Sequence, residues 1–171
     1  LRSETGLDFT AGDIVMTCGA AAAINVVLKT ILNPGQEVII LSPYFVEYGY
    51  YVDNHGGVAV VVPTDDDFLP DLVAIESAIT SKTRALVINS PNNPTGVVYP
   101  PESLAALGGL LNRKQEEFGK EIFIISDEPY RRIIFDGLTF PQVLPHYRNS
   151  VVVTSHAKDL ALPGERIGYI A

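Results

Sequence analysis

Apolar runs punctuate the chain at Ile14–Thr17, Val38–Ser42, Val58–Val62, Ala85–Asn89, Ile122–Ser126, Val151–Thr154 and Ile167–Ile170. Most are rich in β-branched residues and continuous rather than alternating. A continuous run suits a strand buried on both faces, as in a parallel sheet covered by helices. Helical stretches lie between the runs. Ala20–Leu32 closes at Asn33-Pro34-Gly35, and its main polar positions are Asn25 and Lys29, one turn apart. That pattern predicts an almost wholly buried helix. Tyr44–Asn54 runs up to Gly56-Gly57. Asp71–Ile79 follows Pro70, a residue suited to a first helical turn. Pro101–Phe118 sets Leu104, Leu107, Leu111 and Phe118 on one stripe and stops at Gly119. Alternating strands and helices predict an α/β fold, a mostly parallel seven-stranded sheet with helices on both faces.

The length of 171 residues suits a single domain. Hydrophobic residues make up 47 % and charged ones 19 %, which excludes intrinsic disorder. With 12 Lys and Arg against 20 Asp and Glu, the net charge is −8, and no basic cluster is present. Nucleic acid and an anionic membrane are therefore not expected partners. The uncharged stretch Ile14–Leu28 is too short to span a bilayer and lacks a basic leader. The single cysteine, Cys18, excludes an internal disulfide and fits a reducing, cytoplasmic compartment; it is expected to be a small buried residue.

Several strands end in chemically unusual residues. The second apolar run leads into Ser42-Pro43-Tyr44-Phe45, and the fourth into Asn89-Ser90-Pro91-Asn92-Asn93-Pro94-Thr95-Gly96. The fifth leads into Ser126-Asp127-Glu128-Pro129-Tyr130, and the sixth into Ser155-His156-Ala157-Lys158. Ligands of open α/β sheets bind beyond the carboxyl ends of the strands. An aromatic ring, an amide, a carboxylate, a phenol and an amine are thus expected on one edge. The first strand turns into its helix through Thr17-Cys18-Gly19-Ala20-Ala21. Small residues there let a phosphate approach free backbone N–H groups. Neither a Gly-Lys-Ser/Thr loop nor a three-glycine dinucleotide fingerprint is present.

Together these residues resemble fold-type-I pyridoxal-phosphate enzymes of the class I/II aminotransferase family. Asn93-Pro94-Thr95-Gly96 resembles its Asn-Pro-x-Gly turn, and Asp127-Glu128-Pro129-Tyr130 its Asp-x-x-Tyr motif. Ser155-His156-Ala157-Lys158 followed by Pro163-Gly164-Glu165-Arg166-Ile167-Gly168 resembles its Ser-x-x-Lys and Pro-Gly-x-Arg-x-Gly signature. The resemblance implies pyridoxal 5'-phosphate as cofactor and amino transfer from an α-amino acid to a 2-oxo acid. Lys158 would form the internal aldimine, helped by partial burial and the nearby cation of Arg166. Asp127 would pair with the pyridine nitrogen. Tyr130 and Asn93 would bond the phenolic oxygen, and Phe45 would stack on the ring. Ala20 and Ala21 N–H groups, Ser155 and Arg166 would hold the phosphate. No metal is implied. The family topology, and the short link after Lys158, imply that the last strand is antiparallel, since a parallel crossover needs about a dozen residues or more.

Ala157 stands where many relatives carry a second hydroxyl, and His156 reads as a packing or solvated residue. The resemblance covers the cofactor-binding large domain, so residues 1–171 are expected to be a portion lacking an N-terminal segment and a C-terminal small domain. On that expectation the parent is a homodimer and the isolated chain is inactive. Other readings are a β-lyase or decarboxylase of the same fold, a non-catalytic cofactor-binding domain of a regulator, or a nicotinamide-binding domain.

Overall fold

A computed structural model describes residues 1–171. After a short helix α1 (Arg2–Thr5), the chain alternates strands and helices: β1 (Val15–Thr17), α2 (Ala20–Ile31), β2 (Glu37–Ser42), α3 (Glu47–Asp53), β3 (Val58–Pro63), α4 (Leu72–Ala78) and β4 (Thr83–Asn89). It continues through α5 (Pro101–Phe118), β5 (Phe123–Asp127), β6 (Ser150–Ser155), the one-turn α6 (His156–Asp159) and β7 (Gly168–Ile170). The seven strands form one sheet in the order β1-β7-β6-β5-β4-β2-β3. Strands β2 to β6 pair parallel, and β7 runs antiparallel to both β6 and β1, as the short link from Lys158 requires.

Strand alternation splits the core into two layers. Val38, Ile40, Ala85, Val87, Ile125 and Val153 point to the face covered by α2 and α3. Ile39, Leu41, Leu86, Ile88, Ile124 and Val152 point to the face covered by α4 and α5. The inner strands are therefore apolar throughout because both of their faces are covered. The outer strands differ from that expectation: β1 and β3 are largely exposed, since each has an open side.

The helix boundaries follow local chemistry. Asp71 caps α4 by accepting the N–H groups of Val73 and Ala74 at 2.9 and 3.1 Å. Pro101 opens α5, and Gly119 ends it in the left-handed conformation at φ 62°. Two expectations are corrected. Helix α2 is only half-buried: Ala23, Ile24, Val27 and Leu28 face the sheet, while Val26 is 46 % exposed. A helix lying on one sheet face buries a stripe, however apolar its other side. Helix α3 begins at Glu47 rather than Tyr44, because Tyr44 and Phe45 pack against the core from the preceding turn. No helix is long and apolar enough to cross a membrane.

Strand β7 passes close beneath the turn that starts α2. A Cβ on Gly168 would overlap the carbonyl oxygen of Thr154 and lie 2.7 Å from Gly19 Cα. All of these atoms are backbone and cannot swing aside. Gly168→Ala is expected to lower stability by about 1–3 kcal/mol in urea unfolding, the usual range for overpacking. Gly164→Ala, which meets nothing within 4 Å, should stay within about 0.5 kcal/mol of wild type.

Candidate active site

The parallel order places the carboxyl ends of β4, β5 and β6 side by side, with Asn89 paired to Asp127 and Asp127 to Val153. They open into a cavity of about 330 Å³, walled by the start of α2 and by one side of α3. That volume lies at the small end of ligand sites, roughly 300–1,000 Å³. All nine residues singled out from the sequence line it: Ala20, Ala21, Phe45, Asn93, Asp127, Tyr130, Ser155, Lys158 and Arg166.

Asp127 ends the central strand and is 6 % exposed. Its Oδ2 accepts the Tyr48 hydroxyl at 2.6 Å, and its Oδ1 is buried with no hydrogen-bond partner. Burial pushes the carboxyl up to about 6, and the Tyr48 bond opposes part of that rise. Burial, followed by the charge of Asp127, raises the Tyr130 phenol, while the Asn93 side chain acts in the opposite direction. Asn89 stitches the edge together: its Nδ2 donates to the Asp127 carbonyl at 2.9 Å, and its Oδ1 accepts the Asn93 N–H at 2.7 Å.

At the other end of the cavity, Gly19 caps α2 at φ 88°. The first bond of the turn runs from Ala23 N–H to Gly19 O, so the N–H groups of Ala20 and Ala21 remain without helical partners. A Cβ on Gly19 would lie 3.0 Å from Arg166 Nη2 and 3.7 Å from Ser155 Oγ. Helix start, hydroxyl and guanidinium therefore converge on one small volume. Ser155 Oγ accepts the Ala157 N–H at 3.1 Å and caps α6, which carries Lys158.

Lys158 is exposed, where partial burial was expected, and its ammonium makes no ion pair or hydrogen bond. Lys158 stands on the one-turn α6 at the cavity rim, where its side chain reaches solvent. Cys18 is likewise exposed rather than buried, because it sits in the turn after the exposed edge strand β1. His156 is half-buried, with Nδ1 3.3 Å from the Asp159 carboxylate and its ring 6.0 Å from that of Tyr169.

Sequence reasoning did not single out Tyr48, Asn89 or the cavity residues Glu47 and Tyr51. Tyr48 had a signal: it follows Phe45 by three residues, the spacing that puts two side chains on one side of a helix. Its ring meets that of Phe45 edge-on at 5.8 Å. Glu128, buried behind the site, is pushed up to about 8 chiefly by burial, although Ser126 Oγ donates to it at 2.8 Å. Arg131 lies 3.8 Å from Glu128 and also pairs with Glu4 at 3.4 Å.

A model of the aminotransferase class I and II family matches residues 1–171. The chain is 41 % identical over 170 residues to an aspartate/prephenate aminotransferase of Thermus thermophilus, across 98 % of this chain and 43 % of that protein. An amino transferase structure from Eubacterium rectale superposes with a TM-score of 0.97 at 43 % identity, across 99 % of this chain and 43 % of that one. The aspartate aminotransferase of Thermus thermophilus with maleate gives 0.87 at 41 % identity, across 99 % of this chain and 44 % of that one. The chain thus spans less than half the length of these relatives.

The raised Asp127 carboxyl has a consequence for stability. Below about pH 3.8 the group is protonated whether the chain is folded or not; between there and about pH 6 only the unfolded chain has released the proton. Stability is therefore present in full at the acid end and lost as pH rises through that window, by about 3 kcal/mol for a shift of this size. Asp127→Asn removes this titration. In urea unfolding, the variant should gain on wild type by up to about 3 kcal/mol between pH 4 and pH 7; a constant difference would contradict the assignment.

Proposed function

The chain belongs to the aminotransferase class I and II family, and from that premise we propose that it forms the cofactor-binding part of a pyridoxal-phosphate enzyme. The reaction would be amino transfer from an α-amino acid to a 2-oxo acid. One observation carries the reading: an amine, an unpaired buried carboxylate oxygen and an anion cradle share one cavity. The names of the relatives support an acidic amino acid as donor. A homodimeric parent and a cytoplasmic location belong to the same proposal and rest on the family likeness.

The residues present fit the cofactor. The orphaned Asp127 Oδ1 lacks a proton donor, which a pyridine N–H would provide. The Gly19 turn, Ser155 and Arg166 make a cradle that a side chain at position 19 would fill. When bound, pyridoxal 5'-phosphate supplies an electrophilic carbonyl carbon and a ring that takes up the electron pair left at Cα. Lys158 would hold the cofactor covalently through Nζ, then carry the Cα proton of the substrate. Asp127, as a carboxylate, would keep the ring nitrogen protonated. Phe45 would bear on the ring face, and Tyr130 and Asn93 would orient its oxygen substituent. Arg166 would meet the phosphate with two parallel N–H donors, assisted by the Ala20 and Ala21 N–H groups at the positive end of α2.

Borohydride reduction after incubation with pyridoxal 5'-phosphate tests this. Peptide mass spectrometry should place the trapped adduct on Lys158, and Lys158→Ala should show none. Arg166→Ala should weaken cofactor binding by about 10- to 100-fold, the loss of a charge-assisted hydrogen-bond pair. An adduct spread over surface lysines, unaffected by either change, would overturn the proposal.

A further inference from the structure

We propose that Tyr48 is the positioning residue of Asp127: its hydroxyl pins Oδ2 and so leaves Oδ1 as the one carboxylate oxygen available to a proton donor in the cavity. This rests on the function proposed above and extends it to a residue on a separate element. The last torsion of an aspartate is broad and nearly two-fold, so an unpinned carboxylate presents either oxygen in a range of orientations. At Asp127 the two oxygens are not equivalent. Oδ2 takes the Tyr48 hydroxyl at 2.6 Å, and Oδ1 takes nothing. The other side chain bonded to this residue, Asn89, reaches its backbone carbonyl and leaves the carboxylate free to turn.

The donor is itself held in place. Tyr48 is 3 % exposed, and its ring packs edge-on to Phe45 at 5.8 Å and against Tyr51 at 6.4 Å. Its hydroxyl has Asp127 as its hydrogen-bond partner, across 79 positions of sequence. A buried charge and its donor on separate elements are costly to keep where an apolar pair would pack as well. The carboxylate's orientation gives the pair a use, and Phe45 and Asp127, on two sides of the cavity, are tied through one ring.

The test compares pyridoxal 5'-phosphate with its carbocyclic analogue, which carries C–H in place of the ring nitrogen. Equilibrium affinities of both are measured by absorption for wild type and Tyr48→Phe, which keeps the ring and removes the hydroxyl. Wild type should prefer the nitrogen compound by about 10-fold or more, and Tyr48→Phe should lose about 10-fold of that preference. Its affinity for the analogue should stay within about twofold. An unchanged preference in the variant, or equal weakening of both compounds, would mean a purely structural role and overturn the inference. A wild type that captures the cofactor on Lys158 without preferring the nitrogen would sink the inference and leave the proposed function standing. Failure to capture it at all would sink both. Should Tyr48→Phe not fold, proton NMR of wild type decides: the Tyr48 hydroxyl resonance should move with pyridoxal 5'-phosphate and not with the analogue, and equal responses would overturn the inference.

Discussion

Asp127 is a carboxylate taken out of water at the end of the central strand and given a single side-chain donor. Burial of this kind destabilises the folded chain as the group ionises, and the rise of its carboxyl to about 6 expresses that penalty. The neighbourhood is arranged around it. Tyr48 satisfies one oxygen, Asn89 fixes the strand end through the backbone, and the other oxygen is buried without a partner in a residue that lines the cavity. A site that holds an unsatisfied charge before its ligand arrives trades stability for function.

The sheet makes that arrangement possible. Parallel pairing of β4, β5 and β6 delivers Asn89, Asp127 and Ser155 to one edge. The antiparallel return of β7 sets Gly168 opposite Ser155 and brings it under the Gly19 turn. That contact needs a glycine at 168 because a Cβ there would meet backbone on both sides. It also sets how far the start of α2 stands from Ser155 and Arg166, and so the size of the anion cradle.

The inner strands were legible because buried parallel strands are written as continuous apolar runs, and all seven runs, the exposed edges and the antiparallel β7 included, lie in one sheet. The antiparallel direction of β7 followed from the short link after Lys158 together with the family topology. Most candidate residues could be collected because they follow a strand's carboxyl end, where chain direction fixes the edge; Arg166, which precedes the antiparallel β7, came from the family signature alone. Partners across the fold were not legible in the same way. Tyr48 pairs with a residue 79 positions away, and only its helical spacing from Phe45 hinted at it. Exposure was misjudged where it depends on what lies opposite. Val26, Cys18 and Lys158 are apolar, small or chemically active, yet each faces outward, Val26 from the outer side of α2, Cys18 from the turn after an edge strand and Lys158 from the cavity rim.

The claim that joins these features is that the open oxygen of Asp127 awaits a protonated ring nitrogen. Nitrogen-15 NMR of the chain loaded with pyridoxal 5'-phosphate labelled at the ring nitrogen addresses it directly. A resonance in the protonated range at pH 7 and above, moved to the unprotonated range by Asp127→Asn, is the expected result. A ring nitrogen that is unprotonated in wild type, or one whose resonance ignores the substitution, would contradict it.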